Sequence, residues 1–381
     1  PRGPTPMYLL NEMLLMTPVV LYVGFRLGSL VRGKGGRIVF AVFYLGLLPA
    51  FPLAEGLARG RGPGRTTLWI TAGYDALPYL MYLVLTVVLA DLLIGLLRLT
   101  GLLSAETLRL PRVRMIRFWG MLLVPVFVVA AGILNFNHLS VSRYAIDVPR
   151  RTSIAKRLRI VFASDFHLGP LTSLRFLPRF VEKVNALEPD LILIGGDVLD
   201  ADRSGRGAEI FAVPLRRLRA RYGVYGVPGN HDGYGGANRY AFFAQAGITL
   251  LRDEVRKIEG IIYLAGRNDQ GRARPGQVSR KTVSGLLAET PRDLPVILVD
   301  HRPTELQAAA AAGVDVQFSG HTHDGQLFPV NFITARRYEL IWGYKKKGPT
   351  HVFVSSGVQL WGPRVRTAGV SEIMLVDVAF R

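Results

Sequence analysis

Cysteine is absent from this chain, and histidine is scarce, with seven in 381 residues. The first absence excludes disulfides and any metal site built on thiolates. The second makes the placement of each histidine informative. Acid is also short: 28 acidic residues against 47 basic ones leave a formal charge of +19. Nearly half of the residues are hydrophobic nonetheless. High charge and high hydrophobicity seldom share one soluble domain, and here they occupy different regions.

Residues 1–134 consist of long apolar runs separated by arginine-rich connections. Met7 to Gly24, Ile38 to Leu57, Leu68 to Leu97 and Met115 to Leu134 each approach the roughly 20 residues that a helix needs to cross a bilayer. Four transmembrane helices are therefore expected. Tyr8, Tyr22, Trp69, Tyr74 and Trp119 lie near their ends, as an interfacial aromatic belt requires. A cleaved signal peptide would explain only the first run, and no small-residue cleavage site follows it. Glu12, Asp75 and Asp91 fall inside the runs, where acids are candidates for function or for helix-end anchoring. Four spans put both ends of the bundle on one side. The flanking basic residues divide nine against seven, too narrow a margin for the positive-inside rule to assign that side.

Residues 135–157 are basic and polar and read as a linker. From 158 to 381 short β-branched runs alternate with helical stretches, which predicts an α/β domain. The runs "LRIVFAS", "DLILIGG", "YGVYGVP", "GIIYLAG", "LPVILVD", "VDVQFSG", "HVFVSSG" and "EIMLVDVAF" read as strands. Leu174 to Leu187 and Thr304 to Ala312 read as helices, the second with Pro303 at its start and Gly313 at its end.

Polar residues follow five of the strands. Asp165 and His167 come after "IVFA", Asp197 after "LILIG", Asn230, His231 and Asp232 after "YGVPG", His301 after "ILVD", and His321 and His323 after "VQFSG". Open α/β sheets collect ligand sites at these carboxyl ends. Side chains two apart on extended backbone face one side, so Asp165 with His167, and His321 with His323, can each serve one site. Gly320 and Gly325 bracket the second pair and suit a backbone that must turn tightly or come close to something. Imidazoles, carboxylates and one amide suit Mn²⁺, Fe²⁺ or Zn²⁺. Seven ligands are too many for one ion, whereas two ions sharing a carboxylate would use them all. His138 and His351 stand outside the set.

The motifs "SDFHLGP", "GGD", "GNHD", "DHRP" and "GHTHDGQLFP", with the late "SSGVQLWGP", resemble those of the calcineurin-like metallophosphoesterases. The subgroup they resemble is related to transmembrane proteins with a metallophosphoesterase domain. The resemblance covers roughly 158 to 381 and implies a β-sandwich flanked by helices. It also implies that Asp165, His167, Asp197 and His323 hold one metal and that Asp197, Asn230, His301 and His321 hold the other. Asp324 stands where many relatives have glycine, which places an extra carboxylate near the mouth.

His231 is in neither ligand set and reads as the acid that protonates a leaving oxygen, with Asp232 orienting it. Arg302, Arg364 and Arg366 flank the motifs and are candidates for gripping a second phosphate. The region after the apolar runs carries a net charge of about +11, which suits anionic lipid head groups. No aromatic-interleaved motif accompanies it, so nucleic acid is not an expected partner. The expectation is an integral protein of a bacterial cytoplasmic membrane that hydrolyses a phosphodiester or pyrophosphate bond in a lipid-linked substrate. UDP-2,3-diacylglucosamine of lipid A synthesis is the example that the resemblance suggests. Two competing readings are an exported hydrolase of cell-wall or phospholipid phosphodiesters, and a membrane scaffold or transporter with an inert metal-binding domain.

Overall fold

The computed structural model describes residues 6–58, 61, 66–149, 151, 153–200, 208–233, 240–269 and 280–381, the side chains of 6–16 excepted. It divides into two units, one formed by residues 1–57 and 68–132 and the other by 58–67 and 133–381.

The first unit is helical. It holds α1 (Pro6–Leu30), α2 (Lys34–Leu47), α3 (Ala50–Ala58), α4 (Leu68–Leu99), the short α5 (Ala105–Arg109) and most of α6 (Pro111–Asn137). Among the described residues, α4 and α6 are long and apolar enough to cross a membrane, and α2 with α3 makes a third span only if that bent pair counts as one. The four expected spans are not all found among the described residues. The run from Ile38 to Leu57 is broken where Pro49 lacks the N–H that a continuous helix needs, and the chain bends by 40°. Most of the first run, Met7 to Gly24, lies outside the residues whose side chains are described, and the part of α1 that is described, Thr17–Leu30, is apolar. Asp91 pairs with Arg26 and Tyr22, which ties α4 to α1. The side chain of Glu12 lies outside the described residues.

The second unit contains two six-stranded sheets. The first has the order β1 (Leu139–Val148), β12 (Ser371–Phe380), β2 (Arg157–Ala163), β3 (Leu191–Ile194), β4 (Val224–Gly226), β5 (Thr249–Leu250). The second has the order β10 (Gly343–Lys347), β11 (Thr350–Val354), β9 (Val316–Ser319), β8 (Val296–Val299), β7 (Ile262–Gly266), β6 (Glu254–Ile258). Alternation sorts the residues of each strand between two faces. Leu158, Ile160 and Phe162 of β2 join Leu264, Ile297 and Phe318 in a core between the sheets. Val161 and Ala163 face the other way, onto α7 (Phe176–Asn185), α8 (Ala208–Leu215) and α9 (Ala241–Gln245). On the far face of the second sheet, Ala265, Val296 and Leu298 pack with α10 (Val283–Leu286) and α11 (Leu306–Ala311). The last helix, α12 (Val330–Ala335), follows the loop that carries His321 and His323.

Residues 135–157 are not a plain linker. Ten of them form β1, which runs parallel to β12 in register from Leu139 opposite Ser371 to Val148 opposite Phe380. The last turn of α6 is also bound into this unit, through Asn135 to the carbonyls of Arg366 and Gly369 and through the Ser371 hydroxyl to the carbonyl of Phe136.

Candidate metal centre

The strand-end residues converge where the two sheets meet. Asp165 and His167 leave β2, Asp197 leaves β3 and His231 follows β4, all in the first sheet. His301 leaves β8, and His321 and His323 leave β9, in the second. Asp165, His167 and His323 bring one ligand atom each to within 4.8 Å of the others, and Asp197, His301 and His321 do the same. Each group therefore draws on both sheets.

Close approach has a local cost in backbone geometry. Asp165, His167, Asp197, His321 and His323 all have φ between 41° and 70°, the left-handed region that ordinary side chains avoid. The loops leave no room for larger neighbours. A Cβ at Gly320 would lie 2.3 Å from Asp165 Oδ2, and one at Gly229 would lie 2.2 Å from Asp197 Oδ1. Asp324 shares the left-handed conformation, with φ of 50°, which is the geometry that glycine adopts most easily.

The separations suit ions. His167 Nε2 stands 3.2 Å from His323 Nε2, and His323 Nε2 stands 3.5 Å from Asp165 Oδ1. His301 Nε2 is 3.2 Å from Asp197 Oδ2, whose oxygen is also 3.8 Å from His167 Nε2. Ligand atoms each about 2.1 Å from a common ion stand about 3.0 to 3.4 Å apart at angles between square and tetrahedral. Asp197 lies between the two groups, as a shared carboxylate must. His301 Nδ1 faces the Gly195 carbonyl at 2.8 Å, which leaves Nε2 toward Asp197 without another hydrogen-bond partner. Asn230 Oδ1 is buried with no partner, the state of a donor made for an ion. The backbone reinforces the carboxylates: His321 N donates to both Asp165 oxygens at 3.1 Å, and His231 N donates to Asp197 Oδ1 at 2.7 Å. The residues present fit divalent cations held by nitrogen and oxygen.

Charge is unevenly shared. Burial would raise the Asp197 carboxyl, but His301, His167 and His231 outweigh it and hold the group well below the usual range. Burial would likewise depress His301, yet Asp197, Asp165 and Asp269 push it up to about 10. His321 goes the other way, down to about 3, through burial and the charges of His301 and Arg302. His323 is driven well below its ordinary value by burial, His167 and Arg366.

His231 is the expected acid, and its orienting partner differs from the one expected. Asp232 turns inward and accepts from the backbone N–H groups of Val198, Leu199 and Gly229. Asp200 faces His231 instead, with Oδ1 3.3 Å from His231 Nδ1 and 3.6 Å from His167 Nδ1. Burial would raise Asp200, but His167 and His231 keep it far below the usual carboxylate range and so anionic. The motif "GGDVLD" carries two acids three apart, and the second is the residue that sequence reasoning missed.

Of the three arginines, Arg366 is fully buried, and its Nη atoms donate to the carbonyls of Ser356, Gly357 and Gln359. Burial lowers it to about 10. Its Nη donors hold the loop together, and its Nε is buried without a hydrogen-bond partner. Arg302 is held bidentately by Asp269 at 2.8 and 2.9 Å. Arg364 is half-buried and lines a cavity beside the centre.

Residues 158–325 match the family model described as calcineurin-like phosphoesterase. The chain is 30% identical over 254 residues to an uncharacterized metallophosphoesterase of Aquifex aeolicus, which covers 64% of this chain and 94% of that protein. A metallophosphoesterase of Helicobacter pylori strain J99 is 34% identical over 221 residues, 57% of this chain. The chain spans only 59% of the length of that relative. A bovine transmembrane protein with metallophosphoesterase domain is 32% identical over 262 residues, 64% of this chain and 58% of the relative.

Proposed function

Because this chain belongs to the calcineurin-like metallophosphoesterases, metal-dependent hydrolases of phosphoester bonds, we propose that it cleaves a phosphodiester or pyrophosphate bond in a lipid-linked phosphate of a bacterial cytoplasmic membrane. UDP-2,3-diacylglucosamine is one member of that substrate class. The observation that carries the lipid part is the presence of α4 and α6, apolar and long enough to cross a bilayer, in the same chain as the centre.

In this reading Asp165, His167, Asp197 and His323 hold one divalent ion, and Asp197, Asn230, His301 and His321 hold a second. Mn²⁺, Fe²⁺ and Zn²⁺ all suit these donors. When bound, such ions activate water and offset the charge that builds on phosphoryl oxygens. The chain's own residues do the remaining work. Asp165 and Asp197 are fixed by backbone N–H groups, so their oxygens stay aimed without reorganisation. Asp200 stays anionic and stands 3.3 Å from His231 Nδ1, close enough to orient the ring, and in this reading Nε2 gives a proton to the departing oxygen. Arg364 is the arginine of the three that remains available for a substrate anion.

The test uses the purified full chain with Mn²⁺, assayed on bis(p-nitrophenyl) phosphate and on a lipid-linked pyrophosphate in mixed micelles. Turnover of both is expected, with the larger kcat/KM for the lipid. Equal or poorer use of the lipid would refute the substrate class, and no turnover of either would refute the hydrolase.

A further inference from the structure

A cavity of about 130 Å³ lies within the second unit, lined in part by Leu139, Leu171 and Phe176. Arg175, Arg179, Arg364 and Gln359 supply its polar lining. Among the described residues none of the three guanidinium groups has an acidic partner. Gln359 is 6% exposed, and its amide Nε2 is buried with nothing to donate to. A buried donor of this kind costs free energy unless something accepts from it. Arg175 and Arg179 are exposed and Arg364 is half-buried, so three guanidinium groups open to solvent stand with one orphan donor in the lining, a set that matches an anion with several acceptor oxygens.

The wall of this cavity is shared with the metal centre. Gln359 N donates to the carbonyl of Asp165 at 3.1 Å, and Val358 N donates to that of Ser164 at 2.9 Å. The same loop carries Trp361, whose ring lies 6.3 Å from that of His231. Trp361 is half exposed, as is Leu174 beside Arg175. Large apolar side chains left in solvent next to arginine suit a ligand that is itself part hydrocarbon.

We propose that this cavity binds an anionic amphiphile. Arg175, Arg179, Arg364 and the Gln359 amide hold its phosphate-type head, and Leu139, Leu171 and Phe176 cover the adjoining hydrocarbon. The proposal rests on the lipid-linked reading of the neighbouring centre and says where the second anionic group of that substrate sits.

The probes are n-hexyl phosphate and inorganic phosphate, titrated calorimetrically into the full chain in neutral detergent, with bis(p-nitrophenyl) phosphate turnover followed in parallel. Hexyl phosphate should bind at least tenfold more tightly than inorganic phosphate. Arg175→Gln combined with Arg179→Gln should weaken hexyl phosphate at least tenfold, and Gln359→Leu should weaken it several-fold. The double lysine variant should recover most of the loss, which separates lost charge from misfolding. Arg256→Gln, on β6, should change nothing. Wild-type affinity in the double glutamine variant would overturn the proposal, as would equal affinity for the two probes, since a site for free phosphate needs no apolar wall. Binding as expected without diester turnover would keep the cavity and count against the hydrolase reading alone. Turnover without the expected binding would do the reverse.

Discussion

Asp200 and Asp232 both come close to the loop that carries His231, yet their oxygens meet different partners. Nothing in "GNHD" shows that Asp232 turns back to clasp three backbone N–H groups, because the path of a loop is set by contacts distant in sequence. That the strand-end residues gather in one place was legible from their position after the strands, whereas the left-handed backbone that aims Asp165, His167, Asp197, His321 and His323 was not. The fate of Arg366 was hidden too, since nothing local tells that an arginine will be entombed among carbonyls. Asp200→Asn should lower kcat about 10- to 100-fold, the usual effect of losing an orienting partner. His231→Gln should lower it about 10² to 10⁴-fold with metal content unchanged. Metal analysis and pH profiles of the two variants check both, and Asp232→Asn should show as lost thermal stability instead. His301 makes a second prediction. Its raised value, about 10 against roughly 6.5 unfolded, means that its pairing with Asp197 stabilises the metal-free chain fully below about pH 6.5 and is lost as pH climbs toward 10. At pH 7 that imidazole carries a proton which an incoming ion must displace. Mn²⁺ added to the metal-free protein in weak buffer should therefore acidify it, and metal affinity should fall as pH falls. Metal uptake with no proton released would contradict this.

Four strands were lost to sequence reading, β1, β5, β6 and β10, and the longest of them is β1. It reads as linker because its partner, β12, lies more than 200 residues away and because only its last residues are well buried. The eight strands that were legible carry dense β-branched runs, whereas β5, with two residues, and β10, with its lysines, offer no such pattern. The break between α2 and α3 was available in the sequence, at Pro49, but an unbroken apolar run hid it. The strand has a practical consequence. A fragment beginning at residue 150 would leave the edge of β12 unpaired along ten positions, and exposed edges aggregate. Such a fragment should be largely insoluble, while one beginning at residue 133 should keep β1 and the hydrogen bonds of Asn135 and should turn over bis(p-nitrophenyl) phosphate. Size-exclusion profiles and turnover of the two fragments distinguish them, and a monodisperse, active fragment from residue 150 would show that β1 is dispensable.

On the scale of the whole molecule, the charge of +19 and the apolar helices belong to one economy: a basic hydrolase unit joined to helices suited to lipid. The family could be read from five short motifs, whereas the sharing of each ligand group between two sheets could not, because it depends on how the sheets face one another. That sharing has a mechanical side. A chain with no cysteine has no disulfide cross-link, and an ion held by either ligand group would be a reversible one joining both sheets, closing loops of over a hundred residues in the unfolded chain. Each ion should add about 2.7 kcal/mol at a hundredfold excess over its Kd. Chelation should therefore lower Tm by several degrees and open the unit to protease, and an unchanged Tm would contradict this. In a cell short of divalent metal, the protein would be cleared by proteolysis as well as silenced, so that its abundance would track the metal supply.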